Sequence, residues 1–387
     1  MSGLSSSSYD ADGVEERSAF IHQELLKLAL LIALAVVAFF VTRAIAANNR
    51  ETTLRDAAEW YDRGRHALDA GDAAGAVDAF RHASLIKRAD RGYALALARA
   101  LFRTSQLDAA LRTLLSLREL APEDAEINLE LARLEATRGD SADATRYYHN
   151  ALYAPWPAEQ ADARRRLRFE LIRFLLNHNQ SARAESELVA LGNDVPADVH
   201  THVEVGNLFM TVGDYRRALD QFQQALGLAP HDIAALAGAS RAAVDSGDYP
   251  LAQRYLRDPS SQTSELADLR ALVDLVLSKD PLAARIGSRA RRDRLHEALS
   301  HVEQRLAACT AAPTSAPATT RLPGLLEETR RRSDELMRTS TLDSDTIEGG
   351  LELVGRAERA ISTACSPADR LDRALILIAE RHGVGPQ

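Results

Sequence analysis

The stretch Val199 to Asp232, VHTHVEVGNLFMTVGDYRRALDQFQQALGLAPHD, is the clearest copy of the unit that determines the fold. Gly213 and Asp214 separate its two halves. A glycine tolerates left-handed dihedrals at the end of a helix, and an aspartate caps the helix that follows. Pro230 ends the second half, because proline cannot continue a helix. The stretch therefore predicts a helix–turn–helix of 34 residues.

Small and aromatic residues at fixed positions predict how the two helices pack. Gly206 and Ala218 are small, which allows the helices to cross closely. Phe222 fills the wedge that the crossing leaves, and Ala225 follows one turn later. In the first copy of the unit, Gly64, Ala76 and Phe80 take the corresponding positions, and Trp60 precedes Gly64 by about one turn.

The same pattern recurs with a period of 34 residues. The copies span residues 57–90, 91–124, 125–158, 165–198, 199–232 and 233–266, and an insertion at 159–164 shifts the frame. A single hairpin of this kind buries its apolar face only by stacking on neighbouring hairpins. The period therefore predicts one array of six units.

This pattern resembles the tetratricopeptide repeat family, and the resemblance covers residues 57–266. It implies an all-α, right-handed helical solenoid. In that family the first helices of the repeats line a concave groove, where extended peptides or partner helices lie. Some members clamp a C-terminal carboxylate with lysine and asparagine, but the corresponding slots here contain no lysine.

The N-terminal segment contains a candidate membrane anchor. Residues 1–27 are Ser-rich and acidic, which predicts a disordered tail. Residues 28–47 begin with a run of fourteen apolar residues, and at about 1.5 Å per residue they span the roughly 30 Å of a bilayer core. We predict a transmembrane helix. A cleaved signal peptide is the alternative, because Ala44-Ile45-Ala46 has the small-x-small form of a cleavage site.

The residues after the repeats remain helical in pattern but lose the period. Residues 267–309 are expected to cap the solenoid, and residues 310–323 form a Pro/Thr/Ala linker that should be flexible. Residues 324–387 are expected to form a small helical domain with helices at 325–338, 347–365 and 367–381. The apolar run at 374–379 should pack on the preceding helices.

The two cysteines, Cys309 and Cys365, each end a predicted helix on either side of this linker. A disulfide between them would place the domain in an oxidising compartment, whereas two buried thiols would not. The positive charges around the apolar run do not settle the orientation. An inner-membrane, single-pass protein is expected, with the periplasm slightly favoured over the cytoplasm for the repeats.

Several classes of function are disfavoured by the sequence. The net charge of −8, with both signs throughout, gives no nucleic-acid signal. No phosphate-binding loop, zinc-binding motif or nucleophile elbow is present, so we expect no enzyme, cofactor, metal or small-molecule substrate. His296 and His301 are five residues apart and poorly placed for chelation, and all eleven histidines are expected to be solvated or satisfied in the core.

One set of residues predicts a binding surface. The slot that follows the small residue of each first helix contains arginine in five units of six: Arg65, Arg99, Arg133, Arg173, Asn207 and Arg241. Such a row predicts a groove for an acidic peptide or an anionic polymer, because guanidinium binds carboxylate in bidentate fashion. The alternative is internal neutralisation, because four units contain an acid three residues earlier: Asp62, Glu130, Glu170 and Glu204.

The sequence therefore predicts a membrane-anchored adaptor that binds a peptide or helix of another protein in this groove. Anchored repeats of this layout resemble bacterial envelope-assembly scaffolds, a similarity at the level of fold. The alternative function is an accessory subunit or regulator that binds an anionic polymer or lipid headgroups for an envelope enzyme complex.

Overall fold

The structure, a computed structural model, describes residues 12–88, 90–311, 322–338, 342–365 and 368–382. Within these residues the chain is all-α and contains no strand. It divides into two compact units, residues 1–171 and 172–387. The division falls inside helix α7, in the middle of the predicted array, just after the insertion that shifts the repeat frame.

The N-terminal unit consists of consecutive helices, each packed against the next from α1 to α6. The helices are α1 (Asp12–Asp69), α2 (Ala73–Ile86), α3 (Arg91–Arg103), α4 (Leu107–Leu120), α5 (Ala125–Arg138), α6 (Ser141–Leu152) and α7 (Ala161–Asn177), the last of which continues into the second unit.

The C-terminal unit continues the pattern of hairpins and then departs from it. Its helices are α8 (Ser181–Gly192), α9 (Val199–Val212), α10 (Tyr215–Leu228), α11 (Ile233–Asp245), α12 (Tyr249–Leu256), α13 (Ser264–Lys279), α14 (Ser288–Ala311), α15 (Leu322–Arg338), α16 (Ser344–Ala364) and α17 (Arg370–Arg381).

Helix α1 differs from the prediction for the N-terminus. It runs without a break from residue 12 to residue 69, so residues 12–27 are helical where the sequence predicted disorder. Residues 1–11 lie outside the described residues. The apolar segment Leu25–Ile45 lies within α1, its side chains are exposed along its whole length, and it is long enough to cross a membrane. Because helix growth adds one hydrogen bond per residue, a stable apolar helix extends readily into flanking residues of good helix propensity.

The turn inside each hairpin has one conformation in all six units. Gly71, Gly139, Gly213 and Gly247 have φ between 79° and 85°, and Ser105 and Asn179 take the same left-handed position in the other two units. An aspartate side chain follows each glycine and accepts a hydrogen bond from the third residue of the next helix. The predicted glycine–aspartate turn is therefore confirmed.

The small residues of the repeats lie where aromatic rings press on them. A Cβ atom on Gly64 would lie 2.6 Å from Phe80 Cε1, and one on Gly206 would lie 2.8 Å from Phe222 Cε1. A Cβ atom on Gly238, in the first helix of the next hairpin, would overlap the same Phe222 ring. One ring thus fills the space within its own hairpin and between two hairpins.

The other predicted packing residues divide into buried and peripheral ones. Ala76, Ala218 and Ala225 are fully buried. Trp60 is half-buried and stacks on His82, with ring centroids 4.5 Å apart. Pro230 is exposed beyond the end of α10 and ends the helix without packing in the core.

The C-terminal helices are not the separate domain that was predicted from residue 324. One hydrophobic core runs from Ala243 in α11 to Ile378 in α17, and it includes residues of the last repeat. Helix α14 packs on α15 and α16, and α17 packs on α13 and α16. The apolar run at 374–379 is too hydrophobic to remain exposed, and it packs back as predicted.

Two helix boundaries in the C-terminal part differ from those predicted. The last helix begins at Arg370, not at residue 367, because Asp369 and Asp372 form a reciprocal capping box there. Helix α14 extends to residue 311, past the predicted start of the linker. Residues 312–321 of that linker lie outside the described residues.

The packing around Phe222 generates a paired test. We expect Gly238→Ala to lower the free energy of unfolding by about 1–3 kcal/mol, because the added methyl group overpacks the contact with Phe222. Gly227→Ala on α10 meets nothing within 4 Å and should be neutral or slightly stabilising, because alanine favours helix. Thermal and urea unfolding of both variants measure the difference. Equal effects of the two substitutions would contradict the proposed packing.

Candidate functional site

The six residues of the predicted groove lie on the first helices of the hairpins. In the N-terminal unit they are Arg65 on α1, Arg99 on α3 and Arg133 on α5. In the C-terminal unit they are Arg173 on α7, Asn207 on α9 and Arg241 on α11. The side chains of these arginines retain between 40% and 64% of their accessible surface. They are therefore accessible to a partner.

Arginines in the N-terminal unit pair with carboxylates of the following first helix. Arg99 donates to Glu130 at 2.8 Å and to Glu126 at 2.6 Å. Arg133 grips Glu170 with two hydrogen bonds of 2.8 and 2.7 Å, and its second terminal nitrogen lies 3.5 Å from Glu130. Glu130 thus stands between two arginines from successive repeats.

The network extends to the start of the first helices. Arg91 donates to Asp124 at 2.6 and 2.7 Å and to Glu126 at 2.8 Å. Asp124 also caps α5. At the other end, the buried Tyr148 hydroxyl donates to Glu170 at 2.9 Å. We call this set the ion-pair ladder; its members are Arg91, Arg99, Asp124, Glu126, Glu130, Arg133, Tyr148 and Glu170.

The charge of the ion-pair ladder differs from that of the predicted arginine row. It contains three arginines and four carboxylates, so its net charge is one negative. Burial tends to raise the pKa of Glu126, but hydrogen bonds from Arg99 and Arg91 outweigh burial and lower that pKa below its usual value. For the base Arg133 the shift has the opposite sign but the same effect: its hydrogen bonds to Glu170 raise its pKa. Both groups are therefore held in their charged forms.

The C-terminal unit repeats the pairing at two of its three positions. Arg173 pairs with Glu204, and Arg241 donates to Glu265 at 2.6 Å. Asn207 is exposed and helps line an open groove of about 380 Å³ with Arg173, Val203, Glu204, Leu208 and Thr211. In the first hairpin, Arg65 lies 3.8 Å from Asp62.

These contacts support internal neutralisation over a free cationic row. Among the described residues, each arginine of the row has a carboxylate within 4 Å. Four of these acids were predicted from the repeat pattern. Arg91, Asp124, Glu126 and Glu265 were not predicted, because they occupy different slots of the repeat and only the stacking of helices brings them into reach.

Cys309 and Cys365 are joined in a disulfide, with their Cα atoms 5.8 Å apart. Cys309 lies in α14, and Cys365 follows the last residue of α16. The bond closes a loop that includes the segment between α14 and α15. In the chain-entropy model, a loop of this size stabilises the fold by roughly 4 kcal/mol.

Family models match two parts of the chain, residues 95–160 and residues 209–274, and both describe the tetratricopeptide repeat. Together with the helical hairpins and their turns, these matches identify the chain as a tetratricopeptide repeat protein. Such repeats form protein-interaction scaffolds, whose stacked hairpins present extended binding surfaces. No curated protein matches the sequence.

Three solved structures illustrate the similarity. YrrB, described as a tetratricopeptide repeat protein with an unusual peptide-binding site, is 18% identical over 51% of this chain and 98% of its own, with a TM-score of 0.39. PilF of Pseudomonas aeruginosa is 15% identical over 57% of this chain and 99% of its own, with a TM-score of 0.39. The C-terminal part of a repeat-containing protein from Cytophaga hutchinsonii is 12% identical over 81% of this chain and 99% of its own, with a TM-score of 0.41. Similarities this low say nothing about the partner of this chain.

The ion-pair ladder generates a stability prediction with a defined pH dependence. Because Glu126 is about half exposed, Glu126→Gln should lower the free energy of unfolding at pH 7 by no more than about 1 kcal/mol. The pKa of Glu126 is lowered, so its contribution is present above the usual value of 4.5 and is lost as the pH falls through the folded-state pKa.

Urea unfolding of the wild type and of Glu126→Gln, at pH 7 and at steps down to about pH 3, measures this pH dependence. Glu119→Gln, at an exposed position on α4, is the control and should leave stability unchanged. A loss for Glu126→Gln that persists undiminished at the lowest pH would contradict the role assigned to Glu126.

Proposed function

We propose that this protein is a membrane-anchored scaffold that binds another protein through the exposed first helices of its repeats. The ion-pair ladder is the observation that carries the proposal. It presents charged groups of both signs at fixed spacing on one repeated surface, and the arginine side chains remain 40–42% exposed at its centre. A partner can exchange these pairs at little cost, because exposed ion pairs contribute only about 0–1 kcal/mol each.

The charge balance favours a protein segment with groups of both signs. A polyanion would compete with carboxylates that already hold each arginine, and it would meet a ladder with a net negative charge. A peptide or helix with both acidic and basic side chains can replace both halves of a pair. The polymer-binding alternative therefore receives no support from this surface, and an exclusively acidic peptide is also disfavoured.

The anchor is proposed from the length and exposure of the apolar part of α1. The segment Leu25–Ile45 comprises 21 residues, or about 31 Å of helix, and none of it is buried within the protein. Exposed apolar surface on this scale is costly in water. The helix also continues unbroken past the small residues at 44–46, and this continuity supports an anchor over a cleaved signal peptide.

The disulfide supports an oxidising compartment as the location of the repeats. Disulfides persist outside the reducing cytosol. Cys309 and Cys365 both lie far beyond the apolar segment, on the same side of it as the repeats. We therefore propose an inner-membrane protein whose repeats face the periplasm and take part in envelope assembly.

Site-specific crosslinking tests the binding surface. A photoreactive amino acid at position 207 of the full-length protein, in living cells, should give one discrete crosslinked product with a second protein. Asn207 is exposed within the groove on α9, and no arginine pair is lost by replacing it. The product should be lost when Arg173→Glu breaks the adjacent pair with Glu204.

The matched control places the same group at Asp220, an exposed residue of the second helix α10. The two positions lie on the same hairpin but on different helices. Equal crosslinking from both positions, or none from Asn207, would contradict binding by the first helices.

Protease digestion of spheroplasts tests the topology. The fragment beyond residue 48 should be digested without lysis, and the two cysteines should resist thiol labelling until a reductant is added. Protection of the fragment together with free, reactive thiols would place the repeats in the cytoplasm and overturn the proposed compartment. This outcome would leave the binding surface itself untouched.

A further inference from the structure

A second cluster of charged residues lies in the C-terminal unit, away from the ion-pair ladder. Helix α14 contributes His301 and Arg305, α16 contributes Glu358, and α17 contributes Asp372. Glu358 and Asp372 are 0% and 1% exposed, whereas the His301 side chain retains 24% of its accessible surface. The two carboxylates are therefore inside the core, and the imidazole connects them to the surface.

The oxygens of the two carboxylates face in two directions. Arg305 Nη1 contacts Glu358 Oε2 and lies 2.8 Å from Asp372 Oδ2. The other oxygens face His301, whose Nε2 lies 2.7 Å from Asp372 Oδ1 and 3.9 Å from Glu358 Oε1. One oxygen of each carboxylate and one imidazole nitrogen thus converge, all within 4.8 Å of one another.

Glu358 Oε1 is the anomaly in this arrangement. It is fully buried and has no hydrogen-bond partner, although it points towards His301 and Asp372. Buried polar atoms are mostly hydrogen-bonded, and a bound cation would satisfy this carboxylate oxygen. The two carboxylates also share a single guanidinium, that of Arg305, which contacts only one oxygen of each.

We propose that His301, Glu358 and Asp372 bind a divalent transition-metal ion, with Zn²⁺ as the best fit. One imidazole nitrogen and two carboxylate oxygens are typical protein ligands of Zn²⁺. With metal–ligand distances of about 2.0–2.2 Å in tetrahedral geometry, the ligand atoms lie about 3.4 Å apart. The observed distances of 2.7 and 3.9 Å lie on either side of that value, so changes of about 0.7 and 0.5 Å would bring the imidazole nitrogen to the required distance from both oxygens.

The residues around the cluster provide an outer-shell partner for the ligands and a path for the ion to enter. Arg305 holds the outer oxygen of each carboxylate and orients the inner ones, the role of an outer-shell partner. A cavity of about 240 Å³ reaches His301 from the surface and is also lined by Lys279, Arg294, Ser300 and Gln304. It offers an entry path and room for a water molecule as a fourth ligand.

The position of the site indicates what the metal does. Its three ligands come from three helices, and α17 is the last helix of the described chain. A metal ion bound there would fasten α17 to α14 and α16 across the shared core. A bound ion would therefore add to the stability of the C-terminal helices, whatever else its open fourth position allows.

Zn²⁺ and Co²⁺ titrations of the full-length, tag-free protein, purified in detergent after chelator treatment, test the proposal. We expect one tightly bound Zn²⁺ per chain by calorimetry and a rise in melting temperature with Zn²⁺. Bound Co²⁺ should show the intense visible absorption of a tetrahedral site.

The decisive variant is Glu358→Gln, which keeps the shape of the side chain and removes the orphaned charge. It should weaken Zn²⁺ binding by more than about 100-fold, because substitutions in the outer shell alone cost about 10–100-fold. Without metal it should be at least as stable as the wild type, since it removes a buried charge. His301→Gln, at the partly exposed ligand, should lose binding in the same way.

His296→Ala is the matched control, because His296 lies on α14 near Ser333, outside the cluster. It should bind Zn²⁺ as the wild type does. Absence of Zn²⁺ binding to the wild type, or binding that survives both Glu358→Gln and His301→Gln, would overturn the proposal.

Discussion

Two of the hairpins depend on the space that glycines leave for an aromatic ring. Phe222 lies against Gly206 within its own hairpin and against Gly238 of the next, and both glycines lack the atom that would collide with the ring. The position of one side chain therefore determines two helix crossings at once. Phe80 meets Gly64 in the same way in the first hairpin. Because each hairpin buries its apolar face on its neighbours, an error at such a contact would destabilise both hairpins that share it.

The polar surface of the repeats follows from the same stacking. The 34-residue period brings an arginine of one first helix beside a carboxylate of the next, so that Arg99 meets Glu130 and Arg133 meets Glu170. Partly exposed pairs of this kind add little stability, but they penalise an incorrect register, because a shifted helix would leave charges unpaired. The ladder thus specifies how hairpins align while leaving the charged groups accessible.

The sequence predicted what is local and periodic. The glycine–aspartate turns, the closely packed small residues and the all-α class all depend on neighbours within one repeat. Ser105 and Asn179 were missed as left-handed turn residues, because neither is the glycine that the dihedral favours. The partners of the arginine row were only partly identified, since Glu126 and Asp124 occupy other slots of the repeat.

Most of the long-range packing in the C-terminal unit could not be predicted. His301 and Asp372 are separated by 71 residues and by two intervening helices, so no spacing in the sequence associates them. The shared core of the last repeat and the C-terminal helices was missed for a similar reason. A proline-rich segment suggested a domain boundary, whereas the apolar faces of α14, α16 and α17 required cover and found it in one another.

The unbroken course of α1 has a mechanical consequence. The same helix contains the apolar segment and packs against α2 as half of the first hairpin, with no joint between the two. From Ile45 to Asp69 it extends for about 36 Å. With the apolar segment held in a bilayer, a change of about 10° in its tilt would move the far end of the helix by about 6 Å. The first hairpin would move with it, so a helix anchored in this way would act as a lever on that hairpin.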